Sequence, residues 1–215
     1  MADSELDVAK TLSLTFDDGP DPWWTMRVLE ALSDMGARAT FFMVGARVKN
    51  TPDTALAVLE AGHEIQLHCE RHVRHSDLSE TEIDHDTTAG LETLAAIGVR
   101  ATHWRTPWGV RTPASERTAR AHQLTLVDWT IDTHDWRGDS PASMLSAAQP
   151  LLGDQAVVLM HDAVGPGATR AGCDKTIALL EPLIQAAHDE DLVVVTLGEM
   201  CGTAQRGGMV VGRAS

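Results

Sequence analysis

Three cysteines in 215 residues, at positions 69, 173 and 201, exclude a disulfide framework. Their number is odd and their spacings wide, which suits a reducing compartment. Basic residues are also scarce, 17 against 31 acidic ones, for a formal charge of −14. That sign repels phosphate backbones and anionic lipid, so neither a nucleic-acid partner nor a membrane partner is expected. No apolar run approaches the roughly 20 residues of a membrane-spanning helix. The opening residues Met1-Ala2-Asp3-Ser4-Glu5-Leu6-Asp7 lack a basic n-region and an apolar h-region, so the expectation is a cytoplasmic protein without a secretory signal. Linkers, low-complexity stretches and repeats are missing as well.

What is present is an alternation of short apolar runs and longer amphipathic ones. Lys10–Phe16, Ala39–Val44, Glu64–Leu67, Ala101–Trp104, Leu124–Trp129, Ala156–Met160 and Leu192–Thr196 read as strands. Met26, Leu29, Leu32 and Met35 recur at helical spacing, with Gly36 placed to end the helix. Thr51-Pro52 reads as an N-cap followed by Pro at the first helical position. Ser79-Glu80-Thr81-Glu82 is a capping box opening a helix with Ile83, Thr87, Leu91, Leu94 and Ile97 on its inner face. A further helix spans Asp174–Asp189, with Pro182 expected to kink or shorten it. Strand-helix alternation along one chain implies a parallel sheet. About seven parallel strands in a chain of this size favour a single domain of the α/β class with barrel-like closure. The expected divisions are a lead-in over 1–10, one folded domain over 11–200 and a flexible tail over 201–215.

In such folds chemistry gathers at the C-terminal strand ends, and the polar motifs fall there. Asp17 and Asp18 follow the first strand, and adjacent carboxylates repel unless a cation or arginine relieves them. By itself Asp18-Gly19-Pro20 is ordinary turn chemistry. His68 and His72 can meet one metal ion from a helical turn or a tight loop, although a polar His-rich loop with His63 and His75 nearby gives the same pattern. Arg105-Thr106-Pro107-Trp108-Gly109 could clamp a carboxylate or be a surface turn. Asp132 and Asp135 stand among Trp129 and Trp136, which suits sugar stacking or a core tryptophan beside a loop. His161 ends a buried run and would answer to its neighbours or be a satisfied core histidine. Each motif is ambiguous; their convergence on five strand ends is what points to a site.

Taken together and in this order, from Thr11 to Leu197, these motifs resemble the polysaccharide deacetylase family, also called the NodB-homology or carbohydrate esterase family 4 domain. The resemblance implies a distorted (β/α) barrel and a metal-dependent hydrolase that removes N-acetyl groups. It implies Asp17 as catalytic base, with Asp18, His68 and His72 as ligands of a divalent ion, Zn2+ before Co2+ or Ni2+. It further implies that Arg105 orients the base, that Asp135 tunes His161, and that His161 is the general acid. Trp108, standing where the family often has Tyr, would offer its N–H to the oxyanion. Trp136 and Leu159 would wall the acetyl pocket.

The chain departs from the family pattern in four places. Leu67-His68-Cys69 stands where the family has Asn-His-Ser/Thr, which brings a soft potential ligand, Cys69, beside the site. Glu70 and Arg71 add charge, and Thr106 replaces a frequent Pro. Gly165-Pro166-Gly167-Ala168-Thr169-Arg170 reads as a glycine-rich loop shaping the substrate entrance. The expected substrate is an acetylated sugar, a glycan fragment or an amino-sugar-containing small molecule. Two other readings are a cyclic amide or imide hydrolase on a similar barrel and a non-catalytic glycan-binding module. The oligomeric state is not legible in the sequence.

Overall fold

The computed structural model describes residues 9–207. Eight parallel strands form one sheet: β1 (Lys10–Asp17), β2 (Thr40–Val44), β3 (Glu64–Cys69), β4 (His103–Trp104), β5 (Thr125–Leu126), β6 (Ile131–Asp132), β7 (Ala156–His161) and β8 (Leu192–Val194). Seven run in the order β5-β4-β3-β2-β1-β7-β6, and β8 pairs with β1. β7 takes one edge of β1 over Leu12 to Asp17, while β8 and β2 share the other, at Lys10–Leu12 and Thr15–Asp17. The helices are α1 (Trp24–Asp34), α2 (Gly45–Asn50), α3 (Pro52–Glu60), α4 (Glu80–Ala96), α5 (Pro113–Ala121), α6 (Pro141–Ala148), α7 (Asp174–Asp189) and α8 (Leu197–Gly207). None of the described helices is long and apolar enough to cross a membrane.

Strand parity explains both the core and the site. Side chains alternate across a sheet with period two. Leu12, Leu14 and Phe16 of β1, Phe41 and Met43 of β2, Ile65 and Leu67 of β3, and Ala156, Val158 and Met160 of β7 join one core beneath the helices. The opposite parity points into the barrel, where Phe42, Val157, Leu197 and Met200 form a smaller cluster. α8 plugs that lumen from below: Leu197 N donates to Thr40 Oγ1 and Gly198 N to Glu64 Oε2. Asp17, His68, Leu159 and His161 share the lumen parity at the upper rim.

The capping box forms as expected. Ser79 Oγ accepts from Glu82 N at 3.3 Å, and Glu82 Oε2 accepts from Ser79 N at 2.8 Å. Gly36 adopts φ +59°, the left-handed conformation that closes α1 without a Cβ clash.

Other expectations are corrected. The run Leu124–Trp129 is not one strand. Thr125–Leu126 pairs with β4, whereas Ile131–Asp132, which carries no sequence signal, pairs with β7. The chain crosses the seam between them, where no ladder joins β5 to β6. Asp132 therefore lies within a strand rather than after one. Thr51 does not cap α3 through its side chain; its Oγ1 donates back to the Arg47 carbonyl. Pro182 leaves α7 at full length, because Leu179, Leu180, Leu183, Ile184 and Ala187 bury its inner face on both sides of the proline. α8 continues to Gly207, into the stretch read as a loose tail, and residues 208–215 lie outside the described residues. The short helices α2, α5 and α6 were not legible as separate elements.

Candidate active site

Asp17 ends β1 with its side chain in the lumen and 4% of its surface exposed. Arg105, wholly buried just after β4, donates from Nη1 to Asp17 Oδ1 and to Thr15 Oγ1, each at 2.8 Å. Its Nη2 reaches the Asp128 carbonyl across the β5–β6 seam at 3.3 Å, and its guanidinium carbon stands 4.2 Å from the Phe42 ring centroid. A buried guanidinium needs such pairing, since burying a charge without a partner costs several kcal/mol.

Asp18 turns away from the strand with φ +76°, a conformation Asp tolerates better than most side chains. The turn brings Asp18 Oδ1 to 3.1 Å from His72 Nε2 and 3.5 Å from His68 Nε2. One potential ligand atom from each of the three residues lies within 4.8 Å of the others. His68 Nδ1 faces the Arg105 carbonyl at 2.7 Å. A carbonyl only accepts, so Nδ1 carries the hydrogen and Nε2 turns its lone pair toward Asp18. Burial penalises a charged Asp18, yet the adjacent His68 and His72 side chains hold its carboxyl well below the usual range. Burial likewise opposes a charged His68, and the Asp17 and Asp18 carboxylates still hold its pKa above the ordinary value. The cluster is built to accommodate positive charge.

The residues fit a divalent cation. Asp18 Oδ1 and His72 Nδ1 are buried without a hydrogen-bond partner. A carboxylate with two imidazoles is a common catalytic ligand set that leaves a position open. Gly165 belongs to the same arrangement: a Cβ there would come within 1.8 Å of Asp18 Oδ2. Cys69 is outside it. As the next residue of β3 it takes the opposite parity, is buried, and is not one of the grouped ligand atoms. The charges of Glu70 and Arg71 also turn away. Glu70 pairs with Lys49 at 2.6 Å and accepts from Thr93, while Arg71 Nε lies 3.4 Å from Asp86.

His161 ends β7, and its Cα is the register partner of Asp17. Its Nδ1 lies 2.7 Å from Asp135 Oδ1, and its N–H donates to Asp135 Oδ2 at 3.0 Å. Burial alone would lower the His161 pKa, but the Asp135 carboxylate dominates the outcome and raises it to about 9. Asp135 is itself buried, and the charge of His161 keeps its pKa below the usual range.

A pocket of about 310 Å³ opens above these groups, lined by Asp17, Asp18, His68, His72 and His161 together with Trp108, Trp129, Trp136 and Leu159. Trp108 sits in a 3₁₀ turn with φ +54° and packs edge-on against His72, ring centroids 4.2 Å apart. Every candidate site residue thus gathers at or directly behind one mouth; Arg105 and Asp135 form the layer behind it. The neighbouring histidines do not. His75 Nδ1 lies 2.8 Å from Ser115 Oγ, His63 Nδ1 accepts from Ala39 N, and burial pushes both pKa values down to about 4. They are neutral core residues.

The polysaccharide deacetylase family profile matches residues 7–127. The chain belongs to the polysaccharide deacetylase family. It is 31% identical over 193 residues to a peptidoglycan-N-acetylglucosamine deacetylase of Bacillus cereus, covering 89% of this chain and 88% of that one. It is 32% identical over 174 residues to a chitooligosaccharide deacetylase of a Bradyrhizobium species, covering 79% and 80%. The crystal structure of the Bc1960 peptidoglycan N-acetylglucosamine deacetylase, in complex with 4-naphthalen-1-yl-N-oxidanyl-benzamide, matches with TM-score 0.82. It is 26% identical and covers 88% of this chain and 87% of that one.

Several supports of this deacetylase-family site escaped the sequence reading. Arg170, read as part of an entrance loop, tucks its side chain inward. Its Nη1 pairs with Asp135 Oδ2 at 2.9 Å, and its Nη2 donates to the carbonyls of His161 and Ala163 at 3.0 and 3.1 Å. Thr176 Oγ1 donates to the same Asp135 oxygen at 2.7 Å. Asp86 of α4 accepts from the N–H groups of Glu70 and Arg71, at 2.9 and 3.0 Å, and so fixes the short loop that delivers His72. Thr15, which spaces Arg105 from β1, donates to the Val158 carbonyl at 2.6 Å. The one available signal was parity, which puts Thr15 on the Asp17 face of β1.

Proposed function

We propose that this chain hydrolyses the N-acetyl group of an amino sugar within a glycan or amino-sugar-containing molecule, with Asp18, His68 and His72 holding a divalent ion, zinc in the first instance. The carrying observation is the pairing of two oppositely prepared groups at adjacent strand ends. Asp17 is a carboxylate held by Arg105, and His161 is an imidazole held protonated by Asp135. When bound, the cation supplies Lewis acidity that polarises the acetyl carbonyl and acidifies water. Asp17 then accepts the proton of the attacking water. In this reading the backbone N–H of Trp108 is the donor to the developing oxyanion, and losing one such donor typically raises the barrier by about 3–4 kcal/mol. His161 gives its proton to the departing amine nitrogen, after which Asp135 and Arg170 keep the ring in place. Trp136 and Leu159 bound the space for the acetyl methyl. The names of the relatives support N-acetylglucosamine units of peptidoglycan or chitooligosaccharides as the substrate class.

The test is acetate release from N-acetylglucosamine oligomers by zinc-loaded protein, before and after chelation, alongside Asp17→Asn. The expected result is turnover that chelation abolishes and zinc restores, and an Asp17→Asn protein that binds zinc but turns over at least about a hundredfold more slowly. Chelator-insensitive activity on a cyclic imide, or zinc binding with no hydrolysis of any acetylated sugar, would reject the proposal.

A further inference from the structure

We infer that Arg74 selects substrates that carry a carboxylate on the acetylated sugar or on its neighbour, an inference that rests on the deacetylase reading and narrows it. Arg74 stands two residues beyond His72 in extended conformation (φ −63°, ψ 131°), and both side chains reach the pocket. Its guanidinium carbon lies 4.4 Å from the centroid of the Trp108 ring, the ring that also packs against His72. Most other charged groups of the mouth have a partner at hand, and Asp18 faces the proposed cation. Asp17 has Arg105, Asp135 has His161 and Arg170, and Asp132 lies 3.1 Å from His134. Arg71, three residues before Arg74, and Arg111, three residues after Trp108, pair with Asp86 and Asp128. Among the described residues Arg74 makes no ion pair; it is exposed and lies over Trp108.

That arrangement fits a carboxylate better than a neutral hydroxyl. A guanidinium held over an indole face keeps its charge and N–H groups available for a two-pronged contact with a carboxylate. The protein as a whole carries −14 and repels anions at long range, so a local cation has to hold an acidic glycan. A neutral glycan would leave the N–H groups of Arg74 to water and gain nothing from its charge. The carboxylate could come from a lactyl ether, as in N-acetylmuramic acid, or from the ring of a uronic acid.

The experiment compares three disaccharides on zinc-loaded protein: N,N′-diacetylchitobiose, N-acetylglucosaminyl-N-acetylmuramic acid and N-acetylglucosaminyl-glucuronic acid. Acetate release gives kcat/KM, and calorimetry reads binding without turnover. Wild type should favour at least one acidic sugar over the neutral one by about tenfold or more, a preference that weakens with added salt. The favoured sugar identifies the carboxylate source. Arg74→Gln should collapse the acidic-to-neutral ratio toward unity, chiefly through KM, and Arg74→Lys should recover part of it. A wild type without preference in binding and rate, or an Arg74→Gln protein that keeps the ratio while losing activity on all three, overturns the inference. If none of the sugars releases acetate, the deacetylase reading fails by itself, and the calorimetric preference decides the role of Arg74.

Discussion

His68 Nδ1 lies 2.7 Å from the backbone oxygen of Arg105, and the guanidinium of that same arginine lies 2.8 Å from Asp17. One residue thereby fixes the tautomer of a candidate metal ligand with its main chain and the position of the candidate base with its side chain. The two tasks can be separated by mutation, because a substitution removes the side chain and leaves the carbonyl.

For Arg105→Ala we expect stability to fall by about 3–5 kcal/mol, since Asp17 is left buried and unpaired. Turnover should drop by about a hundredfold or more while zinc affinity changes much less. Arg105→Lys keeps the charge but cannot reach Thr15, Asp17 and the Asp128 carbonyl together, so it should be intermediate in both. Denaturant unfolding, acetate release and zinc titration provide the three readouts; an Arg105→Ala protein with unchanged turnover would show that Asp17 needs no orienting partner.

Gly165→Ala introduces a methyl group at a point 1.8 Å from Asp18 Oδ2, so either the loop or the carboxylate must move. Zinc affinity should fall by about 10–100-fold, the range seen when the support of a metal ligand is lost. The fold itself should survive, because the loop lies above the sheet. Competition with a chelating dye measures the affinity, and undiminished binding would mean that Asp18 is not a ligand.

The His161–Asp135 pair also carries a pH dependence of defined sign. The folded-state pKa of His161 is raised to about 9, above its ordinary value. Its contribution to stability is therefore complete below about pH 6.5 and is lost as pH rises through about 9. A group that must donate a proton gives the rate an alkaline limb in the same direction. A bound cation nearby lowers the pKa, so the limb of the zinc-loaded protein should lie below the NMR titration of metal-free His161. Asp135→Asn should move both toward neutrality. An alkaline limb that stays in place in Asp135→Asn would separate His161 from the proton donor.

Much of the site was legible because its logic is local. Strand parity has period two, so a strand that ends in a polar residue of lumen parity announces where that residue points. Asp17 and His161 are placed more simply, each directly after an apolar run of strand character and so at the C-terminal edge of the sheet. Turn chemistry after each strand and the capping box of α4 are equally short-range. Arg170 shows where this stops: in sequence it is an arginine at the end of a glycine-rich loop, which ordinarily means solvent. Burying its side chain against Asp135 depends on α7 presenting Thr176 to the same carboxylate. The split of Leu124–Trp129 was hidden for a related reason, because a strand's extent depends on which neighbour offers a ladder.

The amino-acid order by itself determined the chemical inventory: a carboxylate and two imidazoles able to bind a cation, a second carboxylate and a third imidazole able to move protons, and the strand ends that carry them. Only the tertiary structure decided which of the equivalent-looking candidates meet. It turned Cys69 and His75 away, brought His68 and His72 to Asp18, and left Arg74 at the mouth without an ion pair among the described residues. The physical reason is range. Alternation, caps and turns act over a few residues, whereas the distance between Asp18 and His68, fifty positions apart, is set by how the whole sheet curves and packs.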